Sequence, residues 1–316
     1  MIAAALLLAV IVLLVWPTRV LLMGARWTWL APRAAVALWQ AVAVATGTAI
    51  ITMMFELAST TSAVPDHRRN VTDLTAKAIV SRPIGSSHGH FFSLVAGLIV
   101  ATLVIGALLV HGIGLIRARA HQQALLDLVG EESTAIPDAV LLGHPRAAAY
   151  TVGGRRPRIV VSSGAVDALA DDELAAVLAH ERAHLRAHHD LVLLPFRCLT
   201  SALPRSRALA GVSNDVHALI EMAADDRAIR QCGSGALARA ICRMATTDVP
   251  ASSDGAAVGT PGSWPPVLPA SMVTSRVERA LRPRRNMRMA AVGSGVSALC
   301  VLALPFLALI ASVGGR

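Results

Sequence analysis

Two histidines four residues apart, with a glutamate directly after the first, make His180-Glu181-Arg182-Ala183-His184 the segment of this chain best suited to chemistry. On a helix, residues i and i+4 lie one above the other, so both imidazoles reach one metal ion while the carboxylate between them points at a water on that metal. His180 and His184 then supply two of the three protein ligands that a catalytic zinc requires, and the fourth position stays open for water or substrate. A single zinc ion lowers the pKa of its water toward about 7, and Glu181 can take that proton and pass it to a leaving amine. The expected outcome is peptide-bond hydrolysis without a covalent intermediate.

The missing ligand is expected downstream, in Glu221-Met222-Ala223-Ala224-Asp225. Glu221 completes the zinc site, and Asp225, one turn later on the same face, orients a ligand histidine from behind. Asp226 reads as part of a solvated face. His217, one turn before Glu221, either donates to a developing oxyanion or is a surface histidine. His188 continues the ligand face by a further i+4 step, but a fourth protein ligand would close the site. His188, His189 and Asp190 therefore read as a polar helix end.

These residues need helices to hold them. Asp171 or Asp172 is placed to cap a helix that begins Glu173-Leu174 and runs past His188, with Leu174, Val177, Leu178 and Leu185 at helical spacing. A second helix is signalled by Ser213 or Asn214 as cap, Asp215 in the first turn and Gly233 beyond its end. Upstream, residues 139–142, 147–152 and 158–162 are short apolar runs separated by Gly143-His144-Pro145 and Gly153-Gly154, which predicts a small sheet with tight turns. The run holding Tyr150, the only tyrosine, is either an edge on which substrate adds as a strand or an ordinary strand. Residues 191–203 are apolar but too short to span a bilayer, contain Pro195, and are expected to dock on a bundle or lie at an interface.

The composition places this domain in a membrane protein. Of 316 residues 54% are hydrophobic and 16% charged, with mean hydropathy +0.58, too apolar for an ordinary soluble enzyme. Spans are predicted over about 1–16, 34–58, 91–116 and 289–313, the last with Pro305 inside it. The first has no basic residue before it and reads as a retained span rather than a cleaved leader. Arg117 and Arg119 follow the third span, and Arg282, Arg284, Arg285 and Arg288 precede the fourth, which puts the segment between them in the cytoplasm. By the same count the loop 59–90 lies outside, against the pull of its Arg68, Arg69, Lys77 and Arg82. Residues 246–275, rich in Ala, Ser, Gly and Pro, read as a flexible linker, and 276–281 as a short basic helix before the last span.

The net charge of +9 comes almost wholly from arginine, Lys77 being the only lysine, and the abundance of arginine and alanine suggests a GC-rich bacterial source. No helix-turn-helix or basic stripe interleaved with aromatics accompanies it, so topology rather than nucleic-acid binding accounts for the charge. Cys198, Cys232, Cys242 and Cys300 form no C-x-x-C pair and read as reduced, structural thiols. His88 and His90 form an H-x-H pair with no third ligand in sight, and Glu56 and His111 are expected near the ends of apolar runs.

The stretch Val177 to His184, preceded by Asp172-Glu173-Leu174 and followed by Glu221-x-x-x-Asp225, resembles the BlaR/MecR-type integral-membrane metallopeptidases. Their relatives, the HtpX and CAAX-processing peptidases, share the H-E-x-x-H and E-x-x-x-D layout. The resemblance implies an α-helical membrane protein with about four spans and a cytoplasmic α+β zincin-like peptidase domain over 117–245, in a bacterial inner membrane. It implies that His180, His184 and Glu221 bind zinc and that Glu181 is the catalytic base. It also implies regulated cleavage of a partner protein, a dimeric DNA-binding repressor of resistance genes, after a signal crosses the membrane. Well-known members carry an external penicillin-binding domain with an S-x-x-K nucleophile, which is not expected here, since Leu74 stands three residues before Lys77. An HtpX-like role in membrane-protein quality control and a catalytically silent transducer are the alternatives.

Overall fold

Alanine, valine, leucine and isoleucine dominate the amino-terminal third and build its long helices. The computed structural model describes residues 7–9, 26–60, 87–132, 136, 139–247, 270–282, 300–301, 303–304 and 307. Within them, α1 (Arg26–Leu30), α2 (Pro32–Thr60) and α3 (Ser87–Val129) precede the sheet. Pro32 opens α2 at the first helical position, where a missing N–H costs nothing. Pro32–Met53 and Val95–Val129 are long and apolar enough to cross a membrane. The spans expected over 34–58 and 91–116 fall in these helices, whereas those over 1–16 and 289–313, most of the 59–90 loop and most of the linker lie outside the described residues.

The helix that contains the third expected span, 91–116, continues beyond it to Val129. Residues 117–129 contain no glycine or proline, and Leu125, Leu126 and Leu128 sustain the helix until Gly130, whose N–H closes the last turn on the Leu126 carbonyl at 2.9 Å. His111, near the end of the apolar run, lies within this longer helix.

The chain divides into two compact units. The first comprises Met1–Arg26, Ala37–Leu109 and Ala291–Arg316, and in it Val42 and Ala45 are buried with Val301 and Leu304 packed against them. The second comprises Trp27–Val36 and Val110–Ala290 and contains His180, His184 and Glu221.

The sheet of the second unit has strands β1 (Glu131–Glu132), β2 (Ala139–Leu142), β3 (Ala149–Val152) and β4 (Arg158–Ser162) in the order β1-β2-β4-β3. β2 runs parallel to β4, while β3 pairs antiparallel with β4 as a hairpin whose turn includes Gly154 at φ 131°, a conformation open to glycine. The strand period of two explains why β4 is buried on both faces. Ile159 and Val161 join Val177, Leu178 and Ala240 on one side, and Val160 joins Leu126, Val140 and Val152 on the other. β1, too short to show a pattern, was not anticipated.

The sheet is followed by α4 (Ser163–Ala168), α5 (Asp171–Ala187), α6 (His189–Ala202), α7 (Arg207–Cys232), α8 (Ser234–Thr247) and α9 (Ala270–Leu281). α5 packs on α7 and on β3. Alanines at the contact, Ala176 and Ala179 from α5 and Ala228 from α7, let the backbones approach closely enough for short side chains to meet.

Several helix ends depart from expectation. Ala170, not an aspartate, is the N-cap of α5; its N–H is accepted by Glu173 Oε2 at 3.1 Å. The Glu173 carboxylate is buried and held by Arg239 Nε at 3.1 Å and Arg243 Nε at 3.2 Å from α8, which anchors the start of the helix. α5 ends at Ala187 instead of running past His188, which adopts φ 48° and ψ 46°. The N-cap of α7 is Ser206, seven residues before Ser213 and eight before Asn214, because Ser206 Oγ accepts the Leu209 N–H at 3.3 Å; the end of the helix at Gly233 is as expected. α8 extends through Thr247, and α9 begins at Ala270, so both intrude on the expected linker.

Candidate metal centre

His180 and His184 leave α5 one turn apart and meet Glu221 on α7. The two Nε2 atoms are 3.0 Å apart. Glu221 spans both rings, with Oε2 3.4 Å from His180 Nε2 and Oε1 3.4 Å from His184 Nε2. Among the described residues this is the His/Cys/Asp/Glu group whose donor atoms converge, all within 4.8 Å of one another. Donors bound at about 2.0–2.2 Å to one tetrahedral cation stand about 3.3–3.6 Å apart. The nitrogen–oxygen spacings match that requirement, and the shorter nitrogen–nitrogen contact has hydrogen-bond length. Two imidazoles and one carboxylate are a donor set that suits catalytic zinc, so the residues present fit the ion.

Behind the donors lies a layer of buried charge. Asp225 Oδ1 stands 2.9 Å from His180 Nδ1, at ion-pair distance but not aligned as a directed hydrogen bond. Arg276, from α9, forks onto Asp225 with Nε 2.9 Å from Oδ2 and Nη2 2.7 Å from Oδ1, and its Nη1 is 3.2 Å from Glu221 Oε2. Asp225 and Arg276 are buried, so each is tolerated only because the other is there. Asp226, expected on a solvated face, is buried and paired to Arg279 Nη1 at 2.7 Å, while Arg279 Nε donates to the Trp29 carbonyl at 2.9 Å. His217 is half-buried one turn before Glu221 and outside the donor cluster.

Burial disfavours a charge on His180, but Asp225 and Glu221 outweigh it and push the imidazole up to about 10. Burial holds His184 down to about 3 against the attraction of Glu221. Glu221 stays well below the ordinary carboxylate range because His180, Arg276 and His184 overcome its burial, and Asp225 is held at about 2 in the same way, chiefly by Arg276. Glu181 goes the other way: burial, aided by Glu221 and opposed by His180 and Arg276, raises it to about 7.

These shifts predict a proton balance for metal uptake. At pH 7 His184 is neutral and Glu221 ionised, so neither has a proton to lose, whereas His180 must give one up before its Nε2 can bind. Zinc binding should therefore release about one proton from His180 and up to about half a proton from Glu181, and the affinity should rise with pH until His180 titrates. Calorimetric titration in buffers of different ionisation enthalpy measures the number; no proton release at pH 7 would contradict the assignment of His180.

The backbone reversal at His188 carries His189, read from sequence as a helix end, back toward the site. His189 is buried, and its Nδ1 is 2.8 Å from His184 Nδ1. Burial lowers its pKa to about 4. Arg276 also escaped the sequence reading, though it left a trace. Val273, Arg276, Val277 and Ala280 follow helical spacing and all face inward on α9, so an arginine interrupts an apolar stripe. His189 left no comparable signal.

Residues 116–245 match the profile of peptidase family M48. Over 129 residues the chain is 30% identical to the protease HtpX of Alkalilimnicola ehrlichii, an alignment that covers 39% of this chain and 40% of that protein. No solved structure matches. The segment that holds His180, Glu181, His184, Glu221 and Asp225 is thus similar to the peptidases of family M48, while Arg276 lies beyond the matched residues.

Proposed function

We propose that this chain is a membrane-anchored zinc endopeptidase. The convergence of His180 Nε2, His184 Nε2 and a Glu221 carboxylate at ligand spacing carries the reading. Zinc held there supplies a Lewis acid that polarises water and a scissile carbonyl. Glu181, next to His180 and poised near neutrality, takes the proton of the attacking water and returns it to the departing amine. β3 lies at the end of the sheet and packs beside α5, so an extended substrate is positioned by adding to that edge. The peptidase unit faces the bacterial cytoplasm, on the strength of the arginines that flank it at 117, 119 and 282–288.

Two substrate classes fit such an enzyme. The BlaR/MecR-type layout points to regulated proteolysis of a cytoplasmic repressor in antibiotic-response signalling. The similarity to a protease HtpX favours cleavage of membrane proteins in quality control. Cells carrying an inactive Glu181 variant distinguish them, since a repressor that persists on induction supports the first and accumulation of misfolded membrane protein supports the second.

The enzyme reading is tested on the purified full chain in detergent, by zinc stoichiometry and cleavage of an unfolded protein. Glu221→Ala should weaken zinc binding by more than the roughly 10- to 100-fold cost of losing an outer partner. Normal zinc content in that variant would move the third ligand to Asp225, Asp226 or His217. A wild-type protein without stoichiometric zinc would leave a silent transducer as the surviving account.

A further inference from the structure

We propose that His189 is a positioning residue for the metal centre, holding His184 in the one tautomer and ring orientation that can ligate. This rests on the zinc reading above and adds a residue to it. His184 presents Nε2 to Glu221 at 3.4 Å and to His180 at 3.0 Å. For that nitrogen to offer its lone pair to a cation, the ring proton must sit on Nδ1. The atom facing His184 Nδ1, at 2.8 Å, is His189 Nδ1, which accepts that proton's hydrogen bond when its own proton is on Nε2. The two ring planes are nearly perpendicular, at 89°, with centroids 4.6 Å apart, and the 2.8 Å contact joins the two Nδ1 atoms.

The backbone is arranged to make this contact. Had α5 continued, residue 189 would lie five positions after His184, off the ligand face. Instead His188 takes the left-handed conformation, which is uncommon for a residue with a side chain and is the only positive φ among the described non-glycine residues. The chain turns there, and α6 starts with His189 folded back over His184. Asp190, the next residue, is tied to α3 by Arg119 Nη2 at 2.9 Å, which holds the first turn of α6 in place. Strain at 188, burial of 189 and an ion pair at 190 thus act on three consecutive residues.

The test measures zinc affinity and the visible spectrum of the cobalt-substituted full chain in detergent. His189→Ala should weaken zinc binding roughly 10- to 100-fold and alter the cobalt bands, since His184 is then free to rotate or to protonate on Nε2. His189→Asn, whose amide oxygen sits at the δ position and accepts the same hydrogen bond, should recover most of the affinity and the wild-type spectrum. Wild-type affinity and bands in the alanine variant would overturn the proposal. Equal loss in both variants, with a lowered melting temperature, would also overturn it by showing that His189 only fills space. A wild-type chain that binds no zinc would instead bring down the metal reading itself, with the proposal falling as a consequence.

Discussion

Glu181→Gln is expected to lower peptide cleavage by about 10²- to 10⁴-fold while zinc stays bound, because it removes proton transfer and leaves all three donors in place. The variant keeps the size of the side chain and its place on α5 between His180 and Arg182. Cleavage at a saturating substrate concentration, with zinc content measured on the same preparation, reads the two properties separately. The pH profile supplies an independent mark. Glu181 acts as a base only when ionised, so wild-type activity should fall as pH drops through its pKa, raised to about 7 in the metal-free site by burial. A bound dication favours the ionised form and moves that acid limb below 7. The limb should vanish in the glutamine variant, whose residual activity has no such group to titrate. Unchanged cleavage would remove Glu181 from the mechanism.

Arg276→Met carries the largest expected effect on stability. The guanidinium is the shared partner of Asp225 and Glu221, and removing it leaves two carboxylates buried with one protonated imidazole between them. Breaking a buried ion pair from one side typically costs about 3–5 kcal/mol, because the remaining charge is uncompensated. Chemical or thermal unfolding of the second unit should register that loss. Asp225→Asn in the same chain should recover part of it, since the orphaned charge is then gone, and the double-variant cycle isolates the coupling. Full additivity of the two substitutions would mean that the contact contributes nothing beyond its parts. Acid sharpens the prediction: Asp225 is held at about 2, below an ordinary aspartate, so its contribution is present above the unfolded value and fades as pH falls toward 2. In the Arg276 variant the depression should shrink, so the acid-dependent loss of stability should be smaller and should be complete at a higher pH.

What could be read from residues alone was what depends on neighbours in sequence. His180, Glu181 and His184 lie within one and a half turns of one helix, and Glu221 and Asp225 within another, so helical periodicity was enough to place each pair on a common face. The apolar runs of β2 and β4 were legible for the same reason, and so was the glycine that ends α7. The helix starts were less so, because a cap depends on where the chain enters: Ala170 caps α5 through the reach of Glu173, and Ser206 begins α7 earlier than the polar residues 213 and 214 suggested. The H-E-x-x-H pattern predicts two ligands and a base, and adding Glu221 to them was an extrapolation from motif spacing. Bringing its carboxylate within 3.4 Å of both rings required α5 and α7 to pack through alanines. Arg276 sits 51 residues from Asp225, across the linker, and its charge faces inward only because an acidic cluster receives it. Asp226 reads in sequence as solvated surface, but Arg279 pairs with it in the fold; His189 reads as a helix end, but the backbone turn at His188 brings it to His184. A side chain's partners along one helix are set by a fixed rise and turn per residue, whereas burial of a charge depends on which distant groups the fold delivers to it.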